Sequence, residues 1–494
     1  MRCQSLIVAW VLVLSTMALG GPVSADEPAK EAETAKEIKD KDYEMFKLFV
    51  DSFEQIDRNY VKEVDRRELM EAAIQGMLRK LDPYSNYISP ENLRAFSDSV
   101  EQQFGGIGIQ VTLDPTTHRL TVAAPLPGAP AQKAGVRPGD IITDIESEST
   151  ENFDIEDAVK LLRGQPGEPV KIKVLHRGET EPVEVTIVRD IIRVATVRGL
   201  SYKEDGSWSY FVDEEHKIAY LHLTTFSRNS YEELKETMET LSEEGIKGLI
   251  LDLRFNPGGL LSVATEISDM FVEEGKIVST KGRNTQEQVF SAKKQGTYSD
   301  FPMVILVNRY SASASEIVSA CLQDHKRALI IGERTWGKGS VQNVINLDYD
   351  DSALKLTTAS YHRPSGKNIH RFPGAKEEDE WGVMPDENYK IRLGDREIGN
   401  LHSHLAEREL FKPSDGEDKD EEPKETFADR QLEAAVAYLA AKIDGVEPPN
   451  PTKPAKEEGD NDEVAKKDDA KVPETKEDPK PEPESKPEAE PKPE

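Results

Sequence analysis

Four short runs, at 218–221, 248–253, 304–307 and 328–331, are apolar at almost every position. None alternates apolar with polar, so none has a face to give to water, and each is too short for a core helix; they read as strands buried on both faces. Between them, 231–241, 261–271 and 317–323 carry apolar residues at helical spacing. Strand and helix in turn, with a largely buried sheet, is an α/β pattern. The formal net charge is −30 with 32% charged residues, a balance that argues against nucleic acid or an anionic membrane as partner, because both call for a basic patch.

The third run leads through Asn308-Arg309-Tyr310 into Ser311-Ala312-Ser313-Ala314-Ser315-Glu316 and a helix. A serine at such a turn lies beside helix amides that have no intrahelical partner, where an oxyanion is stabilised. The structural alternative is a capping box, with Ser313 capping the helix and Glu316 answering it. The fourth run leads to Gly332-Glu333-Arg334-Thr335-Trp336-Gly337-Lys338-Gly339. Glycines on both sides let backbone approach Lys338 closely and desolvate it. Free lysine titrates at about 10.4, so a lysine that accepts a serine proton needs a shift of several units, which burial without a counter-ion supplies.

These residues, with Gln342, resemble the carboxyl-terminal processing (tail-specific) protease family, which uses a Ser-Lys dyad assisted by a glutamine. In that family the lysine follows the serine by 25 positions and the glutamine follows the lysine by four, the spacing of Ser313, Lys338 and Gln342, which selects Ser313 over Ser311 and Ser315. Leu251-Asp252-Leu253-Arg254-Phe255-Asn256-Pro257-Gly258-Gly259 resembles the family's strand and glycine turn, and Gly382-Val383-Met384-Pro385-Asp386 its late Gly-x-x-Pro-Asp motif. The likeness covers residues 40–395. It implies a crotonase-like protease core, catalysis by Ser313, Lys338 and Gln342, an oxyanion hole from the amides of Gly258 and Ala314, and neither metal nor cofactor. A P-loop reading of Gly332-x-x-x-x-Gly337-Lys338 fails at Gly339, where Ser or Thr would hold magnesium. A peptide-binding scaffold without catalysis is the stronger rival, and the three residues together speak against it. His325, His362 and His370 are the alternative bases for a Ser-His pair.

Residues 101–193 read as an inserted module. Phe104-Gly105-Gly106-Ile107-Gly108-Ile109 is a glycine turn opening a strand, Ala134-Gly135-Val136-Arg137-Pro138-Gly139-Asp140 is a second turn, and a short helix follows at 156–162. The order resembles a PDZ domain, in which loop amides hold a peptide's terminal carboxylate, the next strand pairs with its backbone, and a pocket (here Ile107, Ile109 and Leu161) takes its last side chain. Arg163 matches a family position that faces the protease core; a solvated helix-end charge is the alternative.

At 494 residues the chain is long enough for two to four domains. Arg2 followed by an apolar stretch at 6–19 and Val23-Ser24-Ala25 reads as a signal peptide over 1–25, cleaved before Asp26, and so as export to a periplasmic or extracellular space; a retained membrane anchor is the alternative. Of Cys3 and Cys321 only the second then survives, which leaves no internal disulfide. An N-terminal helical segment at 26–100 is charged and loose to residue 42, then gives two amphipathic helices through Tyr43, Phe46, Phe49, Phe53 and Ile56 and through Leu69, Ala73, Met77 and Leu81. Core packing explains them, and in the resembling family this region also pairs subunits into a homodimer. The protease core runs over 194–395 and a C-terminal helical segment over 396–446. The tail at 447–494 is built of Pro, Glu, Lys, Asp and Ala, and buries too little to offset its ordering entropy. Protein substrates held by their carboxyl termini are the implied partners.

Overall fold

A computed structural model describes residues 27–284, 286–347, 351–411 and 427–451. The leader expected at 1–25 and nearly all of the tail expected from 447 lie outside the described residues.

The chain opens on two helices, α1 (Glu27–Asn59) and α2 (Arg66–Leu81). The stretch expected to be loose up to residue 42 is helical from Glu27, in keeping with its many Ala, Glu and Lys residues. The core packing expected of α1 is not found: Tyr43, Phe46 and Leu48 are 71%, 69% and 68% exposed. From α2 the chain passes through Asp82-Pro83-Tyr84-Ser85 into strand β1 (Asn86–Ile88) and helix α3 (Pro90–Glu101), which begins with Pro90 in its first turn.

The inserted module follows. Strand β2 (Gln103–Gly106) enters it, and β3 (Ile109–Leu113), β4 (Leu120–Pro125), β5 (Ile141–Ile145), helix α4 (Ile155–Leu162), β6 (Pro169–Leu175), β7 (Val183–Val188) and β8 (Asp190–Arg193) complete it. Its antiparallel sheet runs β3-β4-β5-β6-β7 and closes over its own core of Leu120, Val122, Ile142, Ile145, Ala158, Val170 and Ile172. β2 and β8 pair as a ribbon where the chain enters and leaves. Its own hydrophobic core makes this a separately packed unit.

The four apolar runs become β9 (Ile218–Leu223), β10 (Gly248–Asp252), β13 (Met303–Val307) and β14 (Ala328–Gly332), adjacent and parallel in that order. The helices between them, α5 (Ser230–Glu243), α6 (Leu261–Asp269) and α7 (Ala314–Asp324), bury Leu234, Met238, Ile267, Ile317 and Val318 against one face. The opposite face is covered by a C-terminal helix, α9 (Arg430–Asp444), through Ala434, Ala435 and Leu439, which is why the strands carry no polar face. Helix α8 (Asp395–Arg408) precedes it.

A second, antiparallel sheet stands beside the first. It joins β11 (Gly275–Gly282), β12 (Gln288–Ala292), β15 (Ser340–Leu347) and β16 (Ser352–His362), and β1 from the N-terminal segment pairs with β16 at its edge. The segment expected at 26–100 therefore lends a strand to the sheet of the core. Residues 86–88 have too little length or pattern to declare their partner.

Candidate active site

Ser313 stands where β13 and its following loop turn into α7. Its backbone is at φ 57° and ψ −112°, outside the regions a side chain ordinarily tolerates. The surrounding bonds hold it there. Asn308 Oδ1 accepts the amides of Phe255 and Tyr310, Asn256 O accepts that of Ala312, and Ser311 Oγ donates to Leu253 O at 2.7 Å. The glycine turn after β10 is thus stitched to the serine loop after β13, two strands that the parallel sheet sets side by side. Ser311 and Ser315 both spend their hydroxyls on backbone carbonyls, of Leu253 and Asn256. The Ser313 side chain lies instead within hydrogen-bond reach of the Tyr361 hydroxyl, whose own titration burial pushes up to about 12.

Half of the expected capping box is present, and the half that matters is the carboxylate. Ser313 makes no side-chain cap, while Glu316, fully buried, takes four donors. Its Oε2 accepts the amides of Ser313 and Lys338 at 2.8 Å each, and its Oε1 accepts Gly337 N at 2.7 Å and Thr335 Oγ1 at 2.6 Å. Burial raises its pKa and the four donors pull it back. The glycine-rich loop that superficially suggests phosphate binding therefore presents its amides to a carboxylate of its own chain.

Lys338 lies between β14 and β15 with its ammonium 5.2 Å from the centroid of the Tyr84 ring. Among the described residues it makes no ion pair. Burial, and then the like charge of Lys355, lower its pKa to about 8, with Glu316 opposing weakly. Behind the loop, Trp381 is sandwiched between the guanidinium groups of Arg334 and Arg371, 3.5 and 4.4 Å from its ring. Gln342, on β15, donates to Ser340 Oγ at 2.9 Å and to Thr357 Oγ1 at 3.2 Å. Thr357 in turn donates its amide to Ser85 Oγ at 3.0 Å, and Ser85 donates to Asp82 at 2.8 Å. The turn before β1 thus reaches the site from the far end of the chain.

Gly258 fits only as glycine. At φ 100° its Cβ would stand 2.7 Å from Ser313 Cβ and 2.8 Å from Ala314 N. The two expected oxyanion donors are therefore neighbours, but they are not equivalent. Ala314 N, the first amide of α7, has no intrahelical acceptor, whereas Gly258 N already donates to Asn256 Oδ1 at 2.8 Å. Below this turn Arg254 is fully buried, bonded to Asp252 and to Asp429, the residue that caps α9. Arg254 has no role legible from the sequence, because one of its two carboxylate partners lies 175 residues away.

Beside Lys338 opens a cleft of about 800 Å³ whose walls include Tyr84, Phe255, Tyr310, Trp336, Ile398 and Gly399. None of the three candidate histidines bonds to Ser313: His325 is held by Lys276 O, His362 meets Ser360, and His370 meets Phe372 edge to face.

In the inserted module the glycine loop is shorter than the sequence suggests. Phe104, Gly105 and Gly106 are strand, paired with β8, and Gly105 O accepts from Gly164 N. Ile107 is buried, and the amides of Ile107 and Gly108 have no acceptor among the described residues. Ile109 then opens β3, whose outer edge has no strand partner there, alongside Leu161 of α4. Arg163 stays exposed, its guanidinium 4.3 Å from the Phe104 ring centroid within the module. Among the described residues Arg163 makes no hydrogen bond or ion pair with the core.

Comparison with known proteins gives the family. The profile of peptidase family S41 matches residues 217–388, that of a PDZ domain residues 121–175, and that of the activating protease CtpB N-terminal domain residues 15–92. A carboxy-terminal-processing protease of Bartonella bacilliformis is 36% identical over 83% of this chain and 92% of its own. The carboxyl-terminal-processing protease of a Synechocystis species is 35% identical over 66% of this chain and 73% of its own. A solved structure, a photosystem II D1 C-terminal processing protease, is 28% identical over 70% of this chain and 92% of its own, with a TM-score of 0.38.

Proposed function

Because the chain belongs to peptidase family S41, as a carboxy-terminal processing protease of serine type with a PDZ domain, we propose that Ser313 is its nucleophile and Lys338 its general base. The observation that carries this reading is the half-buried lysine without a counter-ion among the described residues, its amide set on the same carboxylate as the serine turn. Ser313 Oγ attacks the scissile carbonyl while neutral Lys338 takes its proton. The lysine then returns that proton to the leaving amine, and the acyl-enzyme is hydrolysed by water through the same base. Gln342, anchored by Ser340 and Thr357, orients the lysine. The oxyanion is received by the free amide of Ala314, joined by Gly258 N when Asn256 Oδ1 releases or shares it.

The remaining parts follow from the same reading. The amides of Ile107 and Gly108 receive a substrate's terminal carboxylate and the edge of β3 pairs with its last residues, so that the module delivers carboxyl termini to the core. The exposed apolar face of α1 pairs two copies into a homodimer. The leader directs export. A crotonase-like fold of the core belongs to this reading too.

Labelling of the mature protein with a fluorophosphonate, followed by peptide mapping, tests it. The adduct is expected on Ser313, and an adduct on any other serine overturns the assignment.

A further inference from the structure

β11 runs beside β16 only as far as the pairing of Gly282 with Ala359, and β1 takes over that edge at Lys355. Residues 356–358 are left without a strand neighbour on that side, and next to the gap lies a second cavity of about 370 Å³. Its walls include Lys281, Arg283, His370, Ser340, Thr357 and Asn368. Among the described residues no carboxylate lines it, in a chain with 93 Asp and Glu against 63 Lys and Arg, where a random draw of charged residues would favour anions.

The cations are not already committed. Arg283 makes no ion pair among the described residues. Lys281 meets Glu287 at 3.3 Å, with side chains 54% and 41% exposed, and an exposed pair of this kind is exchanged for another carboxylate at little cost. His370, in the same wall, has its Nδ1 shielded from solvent and without a partner among the described residues. Burial favours its neutral form, which Asp82 opposes, so the ring adds a hydrogen bond rather than a fixed charge.

Position ties the cavity to the chemistry. Ser340 follows Lys338 by two residues, and Ser340 and Thr357, both in the cavity wall, are the two residues that hold Gln342. A substrate extended across the site spans about 3.3–3.6 Å per residue, so a side chain some positions away from a bond held at Ser313 is the one that would meet this wall. We propose that this cavity is a subsite for an acidic side chain of the substrate, held by Arg283 and Lys281 with hydroxyl and imidazole partners beneath. The assignment rests on the Ser313–Lys338 reading above and deepens it: the long-range field of this acidic chain repels anionic substrates, and this cationic cavity selects, among those that arrive, the ones with an Asp or Glu in register.

The test is a peptide panel with one fixed apolar carboxyl terminus, so that capture by the PDZ domain is constant, and with Asp, Asn or Lys placed singly at each of eight positions around the cleaved bond. Cleavage by the wild-type enzyme and by Arg283→Glu and Lys281→Glu is compared, and binding of the same peptides to Ser313→Ala is followed by fluorescence anisotropy. At one or two adjacent positions, Asp is expected to exceed Asn by about three- to tenfold in kcat/KM and in affinity, and Lys to fall below Asn. The order should invert in Arg283→Glu, an exposed position where the fold is not at stake. A response flat at every position, or a preference for Asp undiminished in both charge-reversed variants, overturns the subsite. A charge preference in binding without any cleavage by the wild-type enzyme would instead overturn the Ser313–Lys338 reading and leave the subsite standing.

Discussion

The backbone amides of Ser313 and Lys338 donate to one and the same oxygen, Oε2 of Glu316, each at 2.8 Å. A single buried carboxylate thus sets the separation of the two backbones that, on the proposed reading, carry nucleophile and base. Glu316→Gln puts an amide group where two donors already point. The variant should lose about 2–4 kcal/mol of stability, the cost of opposed buried donors. Its kcat should fall by about a hundredfold, as expected when a dyad is displaced by a fraction of an ångström. Near wild-type kcat in a folded Glu316→Gln enzyme would remove Glu316 from this role.

The pH dependence has a defined sign. Lys338 titrates at about 8 in the fold against 10.5 unperturbed, so kcat/KM should rise with pH as the amine loses its proton, half-maximally near 8. Lys355→Gln removes a like charge, lets the amine hold its proton more tightly, and should move this limb up by about half a pH unit. A limb that moves down, or not at all, points to another base.

The same lysine limits stability. Its proton is held more weakly in the fold than in the unfolded chain, so its contribution is lost as pH falls through about 8 and restored above 10.5. Lys338→Met should be inactive yet more stable at pH 7 by about 1–3 kcal/mol. That advantage should shrink between pH 8 and 10.5, which urea titrations at three pH values would register.

Ser315→Ala removes a bond to Asn256 O and should cost about 1 kcal/mol of stability while keeping kcat within about tenfold. Ser313→Ala should abolish turnover with stability unchanged or improved. Hydrolysis of one peptide by the two purified variants separates them.

Gly399 lines the cleft beside Lys338 and has no atom within 4 Å of where a Cβ would stand. Gly399→Leu should be tolerated in α8, fill part of the cleft, and reduce kcat/KM for peptides with a large apolar residue before the scissile bond by about tenfold relative to alanine peptides. Equal loss for both peptide types would mean that this cleft does not read side chains.

Amidating a substrate's carboxyl terminus removes the charge offered to the amides of Ile107 and Gly108. A loss of about 1.5–3 kcal/mol is expected, about ten- to hundredfold in kcat/KM at low substrate. Equal cleavage of acid and amide would reduce the PDZ domain to a structural part.

The legible part of this protein is the part whose signals are local. Residues 304–307 announce a buried strand by composition alone, and the resemblance carried by Ser313, Lys338 and Gln342 depends on spacing along the chain. What escaped was set by partners distant in sequence. Glu316 looks like half of a helix cap because its bond to Ser313 N spans three residues; its bond to Lys338 N spans 22. Asp82 and Ser85 look like a turn, which they are, and nothing near them tells that Thr357 waits for the serine hydroxyl 272 residues on. The α1 residues Tyr43 and Phe46 have a core helix's periodicity, and periodicity does not say whether the covering surface belongs to the same chain.

Arg254 gives the fold a built-in order of events. It lies under the glycine turn with one counter-ion beside it, Asp252, and the other, Asp429, on the helix that closes the opposite face of the sheet. A nascent chain that has emerged only to residue 400 already holds Ser313, Lys338 and Gln342, yet its buried guanidinium is half compensated and the back of its sheet is bare. The guanidinium under the Gly258 turn is compensated on both sides only once the last helix is docked. On the proposed reading, a chain cut before Asp429 carries Ser313, Lys338 and Gln342 and should still be inactive.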